Sequence, residues 1–179
     1  PFQVVRKIGS GGMGTVFEAR HEVLGLSVAI KTIGGHVSLT DETQARFLRE
    51  ARAAAKVRHP NVAQIHDIAS QDGVPYMVLE LLRGQTLAAL LEREGRLSAE
   101  GAADLLVPVI AGVAAAHECA IVHRDLKPHN VFISEERAGP VPRVLDFGIS
   151  KLIDDAASVL TRSDVLLGTA QYMSPEQAR

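Results

Sequence analysis

The sequence predicts an α+β chain: a strand-rich front half with one helix, then a mainly helical back half carrying short hairpins. Two patterns carry this. The first third is made of short β-branched runs broken by glycine clusters, and after Gly84 the apolar residues recur at helical spacing. Composition supports a packed domain. The 179 residues are 46% hydrophobic and 22% charged, and a chain of this size buries about 70% of the surface it exposes when unfolded.

Val4–Ile8, Val16–Arg20 and Val28–Ile33 are expected as strands, with Gly25 and Gly34-Gly35 as turn signals. Ser38-Leu39-Thr40-Asp41 offers caps for a helix from about Asp41 to Val57. Its apolar face takes Phe47, Ala54 and Val57, and Pro60 stops it. Val62–Ile68 and Pro75–Leu81 read as two further strands joined by the turn Ser70-Gln71-Asp72-Gly73. Thr86–Glu94 is a short amphipathic helix. Ser98 and Gly101 introduce a long apolar one, Ala102–Glu118, in which Pro108 should kink the axis or open one backbone bond, at about 3 kcal/mol. Short strands are expected at Ile121-Val122, Val131–Ser134 and Arg143–Leu145, and Lys151 to Arg179 reads as loop.

Charge and cysteine usage exclude several classes. A net charge of −2 leaves no basic excess to draw the chain onto nucleic acid or an anionic membrane. The single Cys119 allows neither an internal disulfide nor a cysteine-based zinc site, which favours a reducing compartment. No apolar run approaches the ~20 residues that span a bilayer, and the N-terminus shows no signal-peptide pattern.

Three places concentrate chemistry. Gly9-Ser10-Gly11-Gly12-Met13-Gly14-Thr15-Val16 contains G-x-G-x-x-G. In a dinucleotide fold such glycines open a helix; here they lead into β-branched and aromatic residues, so they lie in a strand-to-strand turn. That turn is either an ordinary hairpin or a flap whose backbone N–H groups close over phosphates, since glycine lets main chain approach an anion. In Val28-Ala29-Ile30-Lys31 the lysine is either a solvated strand end or a phosphate-holding cation. Glu50 is the only charge in the stripe Phe47, Glu50, Ala54, Val57. A carboxylate on a buried face is costly unless paired, which makes Lys31 its expected partner.

The densest polar cluster is Ile121-Val122-His123-Arg124-Asp125-Leu126-Lys127-Pro128-His129-Asn130. Asp125, Lys127 and Asn130 offer a base, a cation and a metal-binding carbonyl within a few positions. Asp146 follows the strand Val144-Leu145 beside a glycine that can turn sharply, and Asp and Asn oxygens suit a hard Mg²⁺ ion. No second His or Cys stands at ligand spacing from His123, which reads as a packed core histidine.

Taken in order, these motifs, closing with Ser174-Pro175-Glu176 in place of Ala-Pro-Glu, make the chain resemble a Hanks-type (eukaryotic-like) protein kinase. It is most similar to bacterial serine/threonine kinases, and the resemblance covers Pro1 to Arg179. It implies a protein-kinase-like bilobal fold: a small antiparallel β lobe with one helix over residues 1–82, and a partial, mainly helical large lobe over residues 83–179. It implies ATP and Mg²⁺ (or Mn²⁺), with serine and threonine hydroxyls of proteins as acceptors.

By the same resemblance, Ile8, Gly9, Ser10, Gly11, Gly12, Met13, Gly14 and Val16 would cover ATP, and Val16 with Ala29 would roof the adenine. Lys31, paired with Glu50, would hold the α- and β-phosphates. Leu79 would guard the rear of the pocket, Glu80 and Leu82 would bond adenine through their backbones, and Phe132 would form the floor. Asp125 would take or orient the substrate hydroxyl proton, Lys127 would contact the transferring phosphate, and Asn130 and Asp146 would hold the metal. Arg124 implies control by phosphorylation in an activation segment from Asp146 to Glu176, with Thr161 and Ser163 as sites, Ser158 a weaker one, and Thr169 bonding Asp125 and Lys127.

Some positions depart from the family pattern. Ala54 is small where a larger side chain usually joins Ile65, His123 and Phe147 in a hydrophobic spine. Ala120 replaces a frequent glycine at a place where positive φ helps, and Arg83 replaces an acidic or small residue near the ribose. In the family several helices follow the position of Glu176, three residues before the last one here. Apolar surface on Ala102–Glu118 and around Tyr172-Met173 would pack on such helices. A truncated ATP-binding fragment or scaffold with little activity of its own is therefore the alternative to a working kinase. A small-molecule kinase fits the motifs less well. The expected location is cytoplasmic, compatible with a membrane anchor outside this stretch.

Overall fold

A computed structural model of the protein describes residues 2–11, 14–33, 41–71, 73–147 and 170–177. Of these, residues 2–56 and 64–81 form one compact unit, and residues 57–63, 82–147 and 170–177 form a second.

The first unit is a five-stranded antiparallel sheet with one helix. Its strands are β1 (Phe2–Gly11), β2 (Gly14–His21), β3 (Ser27–Ile33), β4 (Ile65–Gln71) and β5 (Val74–Glu80), in the order β1-β2-β3-β5-β4. β-Branched and aromatic residues alternate along them, so each strand presents two different faces. Ala19, Val28, Ile30 and Val78 build a buried cluster, with Phe2 and Tyr76 packed against it. The helix α1 (Asp41–Ala54) lies on β4 and buries Phe47, Ala51 and Ala54. It ends three residues short of the expected Val57, because the ladder tightens to an i→i−3 bond from Lys56 N–H to the Ala53 carbonyl.

The expected strand Val62–Ile68 starts later, at Ile65. Val62 instead makes a parallel bridge to Val144, flanked by bonds from Val144 N–H to Asn61 and from Ala63 N–H to Val144. The Asn61 side chain also donates to the Pro142 carbonyl at 2.9 Å. Residues 57–63 thus belong with the second unit.

That unit holds a three-stranded sheet of β6 (Gly84–Thr86), β7 (Val131–Glu136) and β8 (Gly139–Val144), in that order, and two helices. α2 (Leu87–Glu94) is capped by the Thr86 hydroxyl, which accepts from Ala89 N–H at 3.1 Å. α3 (Ala99–Glu118) is capped in the same way by Ser98 and packs against β8. It runs through Pro108, which removes only the ladder bond to residue 104. Gly112 lets it approach the Asn61 loop, since a Cβ there would stand 2.8 Å from the Asn61 carbonyl oxygen.

Among the described residues α3 is the one helix long and apolar enough, by length and composition, to cross a membrane. It begins three residues before the apolar run expected from Ala102. The helix carries Glu100, Asp104 and Glu118 and buries Val109, Gly112 and Ala116, a pattern that a core helix also shows. Its Leu106, Val107 and Ile110 are exposed. Ile121-Val122 forms no strand. Ala120 turns the chain with φ 59°, and the Ile121 N–H is spent closing α3 on the Ala116 carbonyl.

Candidate active site

In the first unit the described residues of the glycine run pair strand to strand rather than opening a helix. Gly11 pairs with Gly14, Ser10 with Thr15 and Gly9 with Val16. Ile8 falls at a register shift and is exposed; such a bulge re-aims a side chain that regular pairing would hold in the pleat. Gly12 and Met13 lie outside the described residues. Cross-strand pairing then gathers the expected nucleotide residues. Val16 stands opposite Lys31, and Ala29 opposite Leu79. Directly paired residues share a face, and positions two apart on a strand do too. Val16, Ala29, Lys31 and Leu79 therefore occupy one side of the sheet, away from the Val28–Ile30–Val78 cluster.

Glu80 ends β5 and is clamped to Gln64. Its N–H donates to the Gln64 carbonyl at 3.0 Å, and its carboxylate accepts from the Gln64 N–H at 2.7 Å. Glu50 meets Arg46, one helical turn earlier, at 3.8 Å. With 30% of its side chain exposed, Glu50 is not a stranded buried carboxylate. Lys31 itself is buried.

In the second unit the polar cluster closes into a network around Asp125, which is 6% exposed. Asn130 Nδ2 donates to the Asp125 carbonyl at 2.7 Å and to Asp125 Oδ2 at 3.0 Å. Lys127 Nζ meets the same Oδ2 at 2.9 Å. Pro128–Asn130 forms one 3₁₀ turn, closed by the bond from Asn130 N–H to the Lys127 carbonyl, and this spacing lets both side chains reach Asp125. His123 Nε2 lies 2.8 Å from the Leu145 carbonyl, so that nitrogen carries the proton and donates. Its Nδ1 accepts from Asp125 N–H at 3.3 Å. Burial pushes this imidazole below the ordinary value, against smaller opposing pulls from the Leu145 carbonyl and the Asp125 and Asp146 charges. The ring also stacks at a tilt on Phe147, 4.9 Å between centroids. His123 is thus the packed core histidine that its sequence context suggested.

Leu145 is held from both sides, its carbonyl by His123 and its N–H by the Asn130 carbonyl. This fixes the backbone of Asp146 (φ 54°) on a segment bonded to that of Asn130. The Asn130 amide nitrogen is committed to Asp125, so its oxygen is the end a hard cation would take, beside an Asp carboxylate. Among the described residues no cluster of three or more His, Cys, Asp and Glu side chains could hold a metal. The donor set fits an ion that takes few protein ligands.

Phe132 lies on β7, half-buried, and Leu82 follows β5. Arg124 is exposed with φ 61°. Ser158, Thr161, Ser163 and Thr169 lie outside the described residues. The exposed Glu176 has its carboxyl held below the usual value by its own backbone N–H and then by Ser174. Sequence reasoning missed Gln177, which bonds the Arg124 carbonyl at 2.7 Å, and the side-chain roles of Asn61 and Glu80. Long-range side-chain bonds to backbone leave no periodic trace, so no motif marked them.

A glycine hairpin, a buried lysine on a sheet face and a clamped Asp-x-Lys-x-x-Asn loop define the class of protein kinase domains. The profile of the protein kinase domain family matches residues 2–179. Over 99% of its length the chain is 41% identical to the serine/threonine-protein kinase pkn3 of Myxococcus xanthus and 39% identical to the probable serine/threonine-protein kinase PknB of Bifidobacterium longum. It covers 33% and 27% of those proteins, so it spans about a quarter to a third of the curated relatives' length. The kinase domain of Mycobacterium tuberculosis PknI superposes with a TM-score of 0.73 at 26% identity, over 83% of this chain and 60% of that one. The chain belongs to the protein kinase domain family, and its bacterial relatives are serine/threonine kinases.

Proposed function

We propose that the chain transfers the terminal phosphoryl group of ATP to serine or threonine hydroxyls of proteins, its own activation segment included. The observation that carries this is the clamp on Asp125. With Oδ2 engaged by Lys127 and Asn130, the other carboxylate oxygen is left to receive the hydroxyl proton. Lys127, already beside that carboxylate, supplies positive charge where the phosphoryl group passes. Backbone N–H groups of the Gly9–Gly14 turn and the Lys31 ammonium would grip the phosphates, while Ala29 and Leu79 line the adenine side. Asn130 and Asp146 would hold Mg²⁺ or Mn²⁺, which when bound neutralises phosphate charge. Positioning and charge neutralisation do most of the work in such transfers. Arg124 would pair with phosphate on Thr161 or Ser163, and a cytoplasmic location would supply the ATP.

One observation favours a second reading, a nucleotide-binding domain of low intrinsic activity: the Glu50 side chain is 30% exposed and has Arg46 beside it at 3.8 Å. Radiolabel transfer from ATP to a generic basic protein separates the two. The intact protein should transfer label, and Asp125→Asn should lower the rate about 10³-fold with nucleotide binding retained. Nucleotide binding without transfer by the wild type, or transfer undiminished in Asp125→Asn, would defeat the kinase reading.

A further inference from the structure

Among residues 170–177, the side chain of Gln177 touches the catalytic loop. Gln177 Nε2 donates to the Arg124 carbonyl oxygen at 2.7 Å, and Gln177 Oε1 accepts from Ser174 N–H at 3.1 Å. The Gln177 N–H closes the same turn on the Ser174 carbonyl at 3.0 Å. Both ends of the amide are in use, and the turn over Ser174-Pro175-Glu176-Gln177 fixes the direction in which it reaches.

What it reaches is the peptide that leads into Asp125. Arg124 has φ 61°, a conformation that side-chain-bearing residues avoid, so this peptide plane needs outside support to stay where it is. One side has support already: the Asp125 N–H donates to the His123 carbonyl at 2.9 Å and to His123 Nδ1 at 3.3 Å. Gln177 holds the other side. A peptide unit is planar, so holding its N–H and its C=O together fixes the plane, and the plane sets the direction in which the Asp125 side chain leaves the backbone. Arg124 is exposed; without Gln177, water would take that carbonyl and would not fix its direction.

We propose that Gln177 is a positioning residue for Asp125, acting through the 124–125 peptide. The segment ending in Ser174-Pro175-Glu176-Gln177 thereby orients the base directly rather than only bordering it. The inference rests on the phosphoryl-transfer reading above.

Two variants of the intact protein test it. Gln177→Glu keeps an oxygen for the Ser174 N–H and removes only the donor to Arg124, whereas Gln177→Ala removes both. Each should lower kcat about tenfold. The KM for ATP and the nucleotide Kd should hold, and the unfolding midpoint of Gln177→Glu should not move. Wild-type kcat in Gln177→Glu would overturn the proposal. So would a loss of kcat matched by losses of nucleotide affinity and unfolding midpoint, which would mark a merely structural residue. A wild type that binds nucleotide but transfers nothing sinks the phosphoryl-transfer reading and this proposal with it. An active wild type with indifferent Gln177 variants sinks the positioning role alone.

Discussion

In the first unit every described residue with left-handed backbone is a glycine: Gly14, Gly25 and Gly73. In the second, Ala120, Arg124 and Asp146 adopt it at φ 59°, 61° and 54° while carrying side chains. The conformation costs an L-residue about 1–2 kcal/mol. The three lie on the stretch that holds Asp125, Lys127 and Asn130, where a dense set of buried hydrogen bonds fixes the chain. The sheet unit is assembled from locally favoured pieces; the catalytic stretch is held against its own preferences. Strain persists only where contacts over-determine it, so the contacts around Asp125 should matter far more than polar contacts in the sheet unit.

The largest effect should come from cutting that network. Asn130→Ala leaves two buried Asp125 oxygens one donor short and should cost about 2 kcal/mol in denaturant unfolding. In the first unit, Glu50→Ala loses only a half-exposed pair on one helix and should cost under about 0.5 kcal/mol. Equal costs would break the comparison.

The same difference decides what could be read from the residues. The sheet strands showed themselves as β-branched runs between glycines, and the register that gathers Val16, Ala29, Lys31 and Leu79 follows from period-two alternation. The Asp125 loop was legible as a motif because its chemistry is concentrated in a few positions. Ile121-Val122 misled because local β preference lost to the closing of α3, where Ile121 N–H bonds Ala116 and Ala120 turns left-handed. The exposure of Glu50 was not legible, because helical spacing shows which face a carboxylate occupies, not how much of it water reaches. Arg46, four residues earlier, shares its surface at 3.8 Å. Val62 left its expected strand for a bridge to Val144, 82 positions along the chain, a contact that no local pattern encodes.

A smaller effect should appear with pH. His123 is buried and neutral, its imidazole held below the ordinary 6.5 chiefly by burial. The unfolded chain therefore binds a proton that the folded chain resists. This contribution to stability is complete above 6.5 and is lost as pH falls from there toward the lowered folded value. Protonated Nδ1 also stops accepting from Asp125 N–H, so the loss strikes the network itself. The denaturant midpoint should drop between about pH 7.5 and about pH 5.5, and His123→Gln should flatten that drop. A wild-type profile as flat as the variant's would count against the network's dependence on a neutral histidine.

The smallest effect sharpens the comparison from the other side, by relieving strain rather than cutting contacts. Two helices of the second unit end in left-handed residues. α2 ends at Gly95 (φ 74°), whose N–H bonds the Leu91 carbonyl. α3 ends with paired bonds from Ala120 to His117 and from Ile121 to Ala116, but Ala120 supplies the left-handed residue. Ala120→Gly removes a strain of about 1–2 kcal/mol and adds about 0.5–1 kcal/mol of backbone entropy cost, for a net gain of about 0.5–1 kcal/mol. Gly95→Ala should lose a similar amount, since nothing stands within 4 Å of a Cβ there and only φ opposes it. If Ala120→Gly raises the unfolding midpoint and leaves kcat unchanged, the strain at Ala120 is the cost of closing a helix without glycine. A fall in kcat would place Ala120 with Arg124 among the residues whose stiffness holds Asp125.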